Sequence, residues 1–249
     1  MRIRLLDRRL DPPAADVALS AVVLRRVAGG VDPPTLRLWS PAETVAFGRQ
    51  DTVRPEFTAA AEAARECGFA PVVRNVGGRA AVLHPGAIAF ELSLPHHRGL
   101  ETIADRFEAT ARSIADALRR LGADPRVGEV PGEYCPGRWS VNLGGTRKVA
   151  GVAQRLVAGG VQIGAVVMVS GAESTNEVLE PVYRALGYRW RPEATGAIDR
   201  DLPGVGADEV AGALLDTWVA EGWVPDPAEL DDSLVEEARR TAPQHAIPR

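Results

Sequence analysis

Ser140-Val141-Asn142-Leu143-Gly144-Gly145-Thr146-Arg147-Lys148-Val149-Ala150-Gly151-Val152-Ala153-Gln154 reads as strand, glycine turn, strand. Gly144-Gly145 between two apolar runs has the composition of a tight hairpin turn. Another apolar run follows, so Ser140–Leu143, Lys148–Ala153 and Val161–Val169 are expected as neighbouring antiparallel strands. Lys148 lies just past the turn, and it is the only lysine in a chain whose Lys and Arg together number 29. At most surface sites either residue serves. A lysine kept where arginine is otherwise the rule points to a site that needs a compact ammonium with a movable pKa, not a planar guanidinium.

Upstream, Leu36–Trp39, Val45–Gly48, Val72–Arg74 and Ile88–Leu94 read as strands and Phe57–Cys67 as a helix. The clearest helix spans Thr102–Leu121, with Ile103, Phe107, Ala111, Ile114, Leu118 and Leu121 on one stripe and Gly122 as its stop. Downstream, Thr175–Leu186 and Asp208–Glu221 read as helices joined by a Pro/Gly-rich connector, Arg191–Gly206. Asp226–Arg249 is polar and is expected to form a short helix and a frayed tail. The pattern is that of an α+β fold, a mixed and largely antiparallel sheet flanked by helices. No long flexible linker divides the chain, so a main domain over residues 1–190 with a short helical C-terminal extension over 191–249 is expected.

Composition narrows the function. The 45% apolar fraction over 249 residues is ordinary for a packed core, and a formal charge of −4 excludes a general nucleic-acid binder. Met1–Arg9 lacks the apolar core of a signal peptide and no later run reaches membrane-spanning length, so a cytoplasmic protein without membrane contact is expected. His84, His96, His97 and His245 have no zinc-ligand spacing, and Cys67 and Cys135 are far apart. Neither a metal nor a structural disulfide is expected. Cys67 ends an Ala-rich helical stretch and reads as a small packing residue.

Two segments carry chemistry. Arg74-Asn75-Val76-Gly77-Gly78-Arg79-Ala80-Ala81-Val82-Leu83-His84-Pro85-Gly86 is a glycine loop between strands. Its glycines let backbone N–H groups approach a ligand, and Arg74 and Arg79 suit a carboxylate or phosphate. Gly132-Glu133-Tyr134-Cys135-Pro136-Gly137-Arg138-Trp139-Ser140 sets Cys135 in a loop ahead of a strand, where reactive groups are commonly held. Across one strand and one turn from Lys148, Cys135 can meet that cation at one end of the sheet. A nearby cation lowers a thiol pKa and makes the sulfur a nucleophile.

The glycine loop resembles the lipoyl-binding loop of the biotin/lipoate protein ligase superfamily, and Lys148-Val149-Ala150-Gly151-Val152-Ala153-Gln154 resembles its Lys-x-x-Gly-x-x-Gln strand. The resemblance covers roughly residues 30–190. Glu133-Tyr134-Cys135-Pro136-Gly137 is similar to the octanoyltransferases and lipoyl amidotransferases of that superfamily that use a cysteine nucleophile. Arg79 stands where lipoate ligases carry a third glycine, and the accessory region is short, so the resemblance favours transfer over adenylation.

It implies a catalytic domain of the lipoate ligase type over 1–190. Cys135 would be the nucleophile and Lys148 would stabilise charge on the acyl oxygen. Arg74, Gly77, Gly78, Arg79, His84, Val149, Gly151 and Gln154 would border the acyl group. The implied reaction moves an octanoyl or lipoyl group between lipoyl-domain proteins, a glycine cleavage H-type protein or the E2 lipoyl domains of 2-oxo acid dehydrogenases, through a Cys135 thioester and without a cofactor. The alternatives are a lipoate ligase using ATP and magnesium, a biotin ligase, in which Cys135 has no role, and a non-catalytic lipoyl-carrier binding module.

Overall fold

The computed structural model describes residues 1–96 and 103–248; His97, Thr102 and Arg249 lie outside them. The three strands read around the Gly144-Gly145 turn are present as β8 (Val141–Leu143), β9 (Arg147–Val157) and β10 (Gly160–Met168), all antiparallel. They belong to an eight-stranded sheet whose other members are β1 (Arg2–Leu6), β2 (Thr35–Trp39), β6 (Ala87–Pro95), β7 (Pro125–Val127) and β11 (Val224–Pro227). Its order is β11-β1-β2-β6-β10-β9-β8-β7. Only the two pairings of β1 are parallel. A second sheet of three strands consists of β4 (Ala70–Val73), β3 (Thr44–Phe47) and β5 (Ala81–Leu83), in that order.

Sheet alternation explains the layers. Ile163, Ala165 and Val167 of β10 join Phe90, Ile114, Leu118 and Trp218 in the main core, which places α4 (Ile103–Arg120) and α6 (Ala207–Ala220) over that face. The opposite residues of β10 are Gln162, Gly164 and Val166, and Gln162 Nε2 donates to the Ser20 carbonyl of α1 (Pro13–Ala28) at 3.0 Å. So α1 covers the second face. Around the small sheet pack α3 (Phe57–Glu66) and α5 (Ala172–Ala185), burying Phe47, Val82, Leu179 and Tyr183. The short helix α2 (Arg49–Thr52) follows β3.

The sequence reading missed β1, α1, β5, β7 and β11. The first and last of these pair with each other, β11 at the sheet edge, and neither has enough alternation in five or four residues to announce itself. The C-terminal stretch holds the end of β11 and then the expected helix, α7 (Asp232–Thr241), whose Leu234 and Ala238 are buried with Leu19, Val22 and Val23 of α1, but the tail after it is not frayed. Beyond α7, the His245 carbonyl accepts from Val73 N–H at 2.9 Å and Ala246 bridges Val72. Apolar residues at the spacing of α7 give the polar stretch a face to dock. Cys67, expected in the core, is exposed at the end of α3, and burial of its sulfur followed by Glu66 and Glu177 pushes its pKa up.

Candidate active site around Cys135

Cys135 sits in the loop between β7 and β8 with φ of 42°, the left-handed region that a residue with a Cβ seldom occupies. Two side chains hold it there. The Glu133 carboxylate, fully buried, accepts from Val130 N–H at 3.0 Å, Gly137 N–H at 2.9 Å and the Ser140 hydroxyl at 2.5 Å, so it folds the loop around itself. From α5 the Tyr183 hydroxyl accepts from Cys135 N–H at 2.9 Å and donates to the Ala80 carbonyl at 2.9 Å. That one oxygen ties the cysteine loop to the glycine loop. Neither Glu133 nor Tyr183 was singled out from sequence. Glu133 was in plain view beside Cys135, whereas Tyr183 follows Val182 on a core-facing helix and carries no local signal.

The glycine loop closes over the sulfur. At Gly78, where φ is 102°, a Cβ would fall 2.4 Å from Arg74 Nη2 and 2.8 Å from Cys135 Sγ. Glycine is therefore required for the two loops to meet. Arg74 lies against the thiol, with Nη2 3.5 Å from Sγ and 2.7 Å from the Arg79 carbonyl that fixes it. Burial pushes the Cys135 pKa up, but the charges of Arg74 and Lys148, with hydrogen bonds from Arg74 and the Arg79 backbone, more than offset it, and the net shift is downward. A thiol that is partly buried and still acid-shifted has the chemistry of a nucleophile.

Lys148 is placed differently from the expectation that it faces an acyl oxygen. Its Nζ is buried and donates to Glu133 Oε1 at 3.1 Å, the Tyr134 carbonyl at 3.1 Å and the Cys135 carbonyl at 2.7 Å. All three ammonium protons are engaged. At Gly151, brought to the lysine's side of β9 by the register shift between Lys148 and Ala150, a Cβ would come within 3.2 Å of Lys148 Cε, so the absence of a side chain gives the lysine its path. Gln154 is anchored to α4, where Nε2 donates to the Ile103 carbonyl at 3.2 Å and Oε1 accepts from Arg106 Nε at 3.0 Å.

Two cavities meet here. The first is a cleft of about 310 Å³ lined by Gly77, Gly78, Phe107, Cys135, Lys148 and Gln154. The second, about 110 Å³ and mostly apolar, runs between α1 and both sheets past Val17, Trp39, Ala89 and Ala165 to Asp16, Ser20 and Glu91. Arg74, Gly151, Ala153 and Val166 line both. Of the residues expected at the acyl group, Arg74, Gly77, Gly78, Gly151 and Gln154 thus converge with Cys135 and Lys148.

Three do not. His84 accepts from Gly86 N–H on Nδ1 at 3.0 Å and pairs with Thr175 Oγ1 through Nε2 at 3.1 Å, which fixes the turn into β6 against α5 away from both cavities. Val149 is buried in the main core, because strand alternation turns it to the face opposite the one bearing Lys148. The Arg79 guanidinium lies over the Tyr188 ring at 4.6 Å, outside the cleft, and only its carbonyl serves the site. Among the described residues no group of three or more His, Cys, Asp or Glu is arranged to hold a metal.

The family model described as the lipoyl protein ligase A/B catalytic domain matches residues 12–189. The chain belongs to that family. It is 32% identical over 188 residues to the octanoyl-GcvH:protein N-octanoyltransferase of Geobacillus kaustophilus, covering 74% of this chain and 66% of the relative. The lipoyl-GcvH:protein N-lipoyltransferase of Listeria monocytogenes is 30% identical over 190 residues, 74% of this chain and 68% of that one. The chain thus spans about two thirds of the length of these curated relatives. The fold is that of lipoate-protein ligase A bound with ATP, at a TM-score of 0.75 and 19% identity over 98% of this chain and 95% of the other. A bipartite lipoate protein ligase from Thermoplasma acidophilum superposes at 0.72, with 19% identity over 98% and 92%. The family match begins at residue 12 and so takes in α1, upstream of where the sequence resemblance starts. Among the described residues no helix is long and apolar enough to cross a membrane.

Proposed function

We propose that the chain is an acyltransferase of protein lipoylation, moving an octanoyl or lipoyl group from a donor protein to the target lysine of a lipoyl domain through a thioester on Cys135. The observation that carries this is the acid-shifted sulfur held 3.5 Å from Arg74 where the open cleft joins an apolar cavity. The thiolate attacks the acyl carbonyl, the C–N bond to the donor lysine breaks, and the thiol's proton ends on the departing amine. The acceptor lysine's amine then attacks the thioester, a new C–N bond forms, the C–S bond breaks, and the amine's proton returns to the sulfur. Amide is exchanged for amide, so no nucleotide or metal is needed.

The acyl tail enters the apolar cavity over Gly151, Ala153 and Val166, where each buried methylene contributes about 0.8 kcal/mol. Arg74 and Lys148 favour the thiolate, and Lys148 with Glu133 holds the loop that presents it. Gly77, Gly78, Gly151 and Gln154 shape the cleft. Residues 1–190 carry the chemistry, and 191–249 form the accessory region that braces it through β11 and α7. Two relatives, in Geobacillus and Listeria, bear names that specify GcvH as the acyl donor, which supports a glycine cleavage H-type protein as donor here and E2 lipoyl domains as acceptors. A cytoplasmic setting follows, since those carriers and a reduced thiol belong there.

The test is intact-mass spectrometry after mixing with an octanoylated lipoyl-domain protein and no nucleotide. An octanoyl adduct on Cys135, released by hydroxylamine and absent in Cys135→Ala, is expected, while Cys67→Ala behaves as wild type. Modification that depends strictly on ATP and releases pyrophosphate replaces this reading with a ligase.

A further inference from the structure

Three arginines beside the cleft lie on aromatic rings without an ion-pair partner among the described residues. Several others are ion-paired, as in Arg4 with Asp32 and Arg147 with Asp201, and Arg37, which lies over the Trp39 ring, is also paired with Asp16. Arg138 and Trp139 line the cleft, and Arg54, Arg79 and Tyr188 lie outside it on the side of the exposed Gly77 and Gly78. Arg54 and Arg79 share the Tyr188 ring, at 4.7 and 4.6 Å from its centroid, and Arg138 lies 5.2 Å from that of Trp139. Among the described residues no carboxylate oxygen comes within ion-pair distance of these three guanidiniums. The neighbouring carboxylate, Asp51, is fully buried and committed to Gly48 N–H at 2.8 Å and the Tyr188 hydroxyl at 2.7 Å. Two cations therefore face one internal anion on one side, and a third cation stands unopposed on the other.

The two groups come from different bodies. Tyr188 packs with Tyr183 and Cys135 in the core of the small sheet, and Trp139 packs against the core of the main sheet. Cys135 lies between them, with exposed Gly77 and Gly78 on the Arg79 side and exposed Pro136 on the Arg138 side. A guanidinium laid on a ring keeps its N–H edge free for a carboxylate, and its ring partner leaves the positive charge uncancelled. In a chain of net charge −4 this is a local inversion of sign around the nucleophile. We propose that the mouth is a docking surface for an acidic protein face, one that carries carboxylates on both sides of its acylated lysine. This rests on the transfer reading for what the partner brings, and the charge pattern adds what the partner's surface must be.

Binding and transfer are measured separately, so that each can fail alone. Calorimetric titration of the wild-type chain with an octanoylated lipoyl-domain protein should show affinity falling about tenfold as salt rises from about 50 to about 300 mM. Arg54→Gln and Arg138→Gln should each weaken binding about fivefold at low salt and flatten the salt dependence. Arg54→Lys, which keeps the charge but not the planar fork, should retain most of the affinity, separating charge from packing. Salt-independent binding, or Gln variants that bind like wild type, overturns the docking surface even when the Cys135 adduct forms. Salt-dependent binding without an adduct removes the transferase and leaves the surface. Competition by ATP or inorganic phosphate that is lost in Arg54→Gln reassigns the arginines to phosphate and overturns the proposal.

Discussion

Lys148 and Cys135 meet through the backbone: the lysine Nζ donates to the Cys135 carbonyl oxygen at 2.7 Å, while the sulfur is faced by Arg74 Nη2 at 3.5 Å. The two cations therefore have separate tasks. Arg74 acts on the sulfur directly, and Lys148 holds the carbonyl side of the same residue while adding a second positive charge.

Arg74→Gln should raise the thiol pKa, because burial pushes it up and the Arg74 charge is the largest influence opposing that. Iodoacetamide alkylation of Cys135 followed against pH should show its midpoint move upward, with slower reaction below it. A midpoint that stays put transfers the whole effect to Lys148.

Lys148→Arg should lower turnover by about tenfold or more, equivalent to about 1.4 kcal/mol, since a planar fork cannot replace an ammonium bonded to three oxygens within one buried site. Lys148→Met strands the buried Glu133 carboxylate and should cost about 3–5 kcal/mol in urea unfolding. Adding Glu133→Gln should return part of that loss. A double variant no more stable than Lys148→Met contradicts the pairing.

Gly78→Ala should slow acylation of Cys135 without unfolding the protein. The new methyl meets the ends of two side chains, Arg74 and Cys135, so it displaces the charge from the sulfur before it disturbs any backbone. The variant's alkylation midpoint should shift in the same direction as that of Arg74→Gln. Its φ of 102° adds about 1–2 kcal/mol of strain to be read in thermal unfolding.

Acid should loosen the C-terminal attachment. Burial pushes the His245 pKa down, the Val73 carbonyl that accepts from Nδ1 at 2.8 Å pulls it back, and nearby arginines lower it further. Above about pH 6.5 both the folded and unfolded chains carry the neutral ring. Below that the unfolded chain takes up the proton first, so stability falls as pH drops toward the lower folded value. His84, also pushed down by burial, acts in the same sense. Urea midpoints between about pH 7.5 and 5.5 should decline less in His245→Gln than in wild type.

The legible part of the site was the part written in residue type. Lys148 stood out by its rarity, Cys135 by its loop and Gly77-Gly78 by their place between strands, and all converge. Arg74 followed from its place beside the glycine loop, and Gln154 from the resemblance of the Lys148 strand to that of the lipoate ligase superfamily. What stayed hidden were groups whose role depends on the partner that folding brings to them. Tyr183 looks like any core position of α5, and its hydroxyl matters only because two loops from elsewhere end beside it. His84 misled for the converse reason, since its position in the glycine loop says nothing about which side its ring takes. The strand β1 and the edge strand β11 are short, and their pairing joins segments far apart in the sequence, which no local pattern reports.

That pairing, together with the bond from Val73 N–H to the His245 carbonyl, has a consequence in time. Val73 immediately precedes Arg74, so the strand that carries the activating guanidinium is bonded to a segment 172 residues away in sequence. Contacts between distant segments form late in folding, so the setting of Arg74 against the sulfur is expected among the last steps of folding.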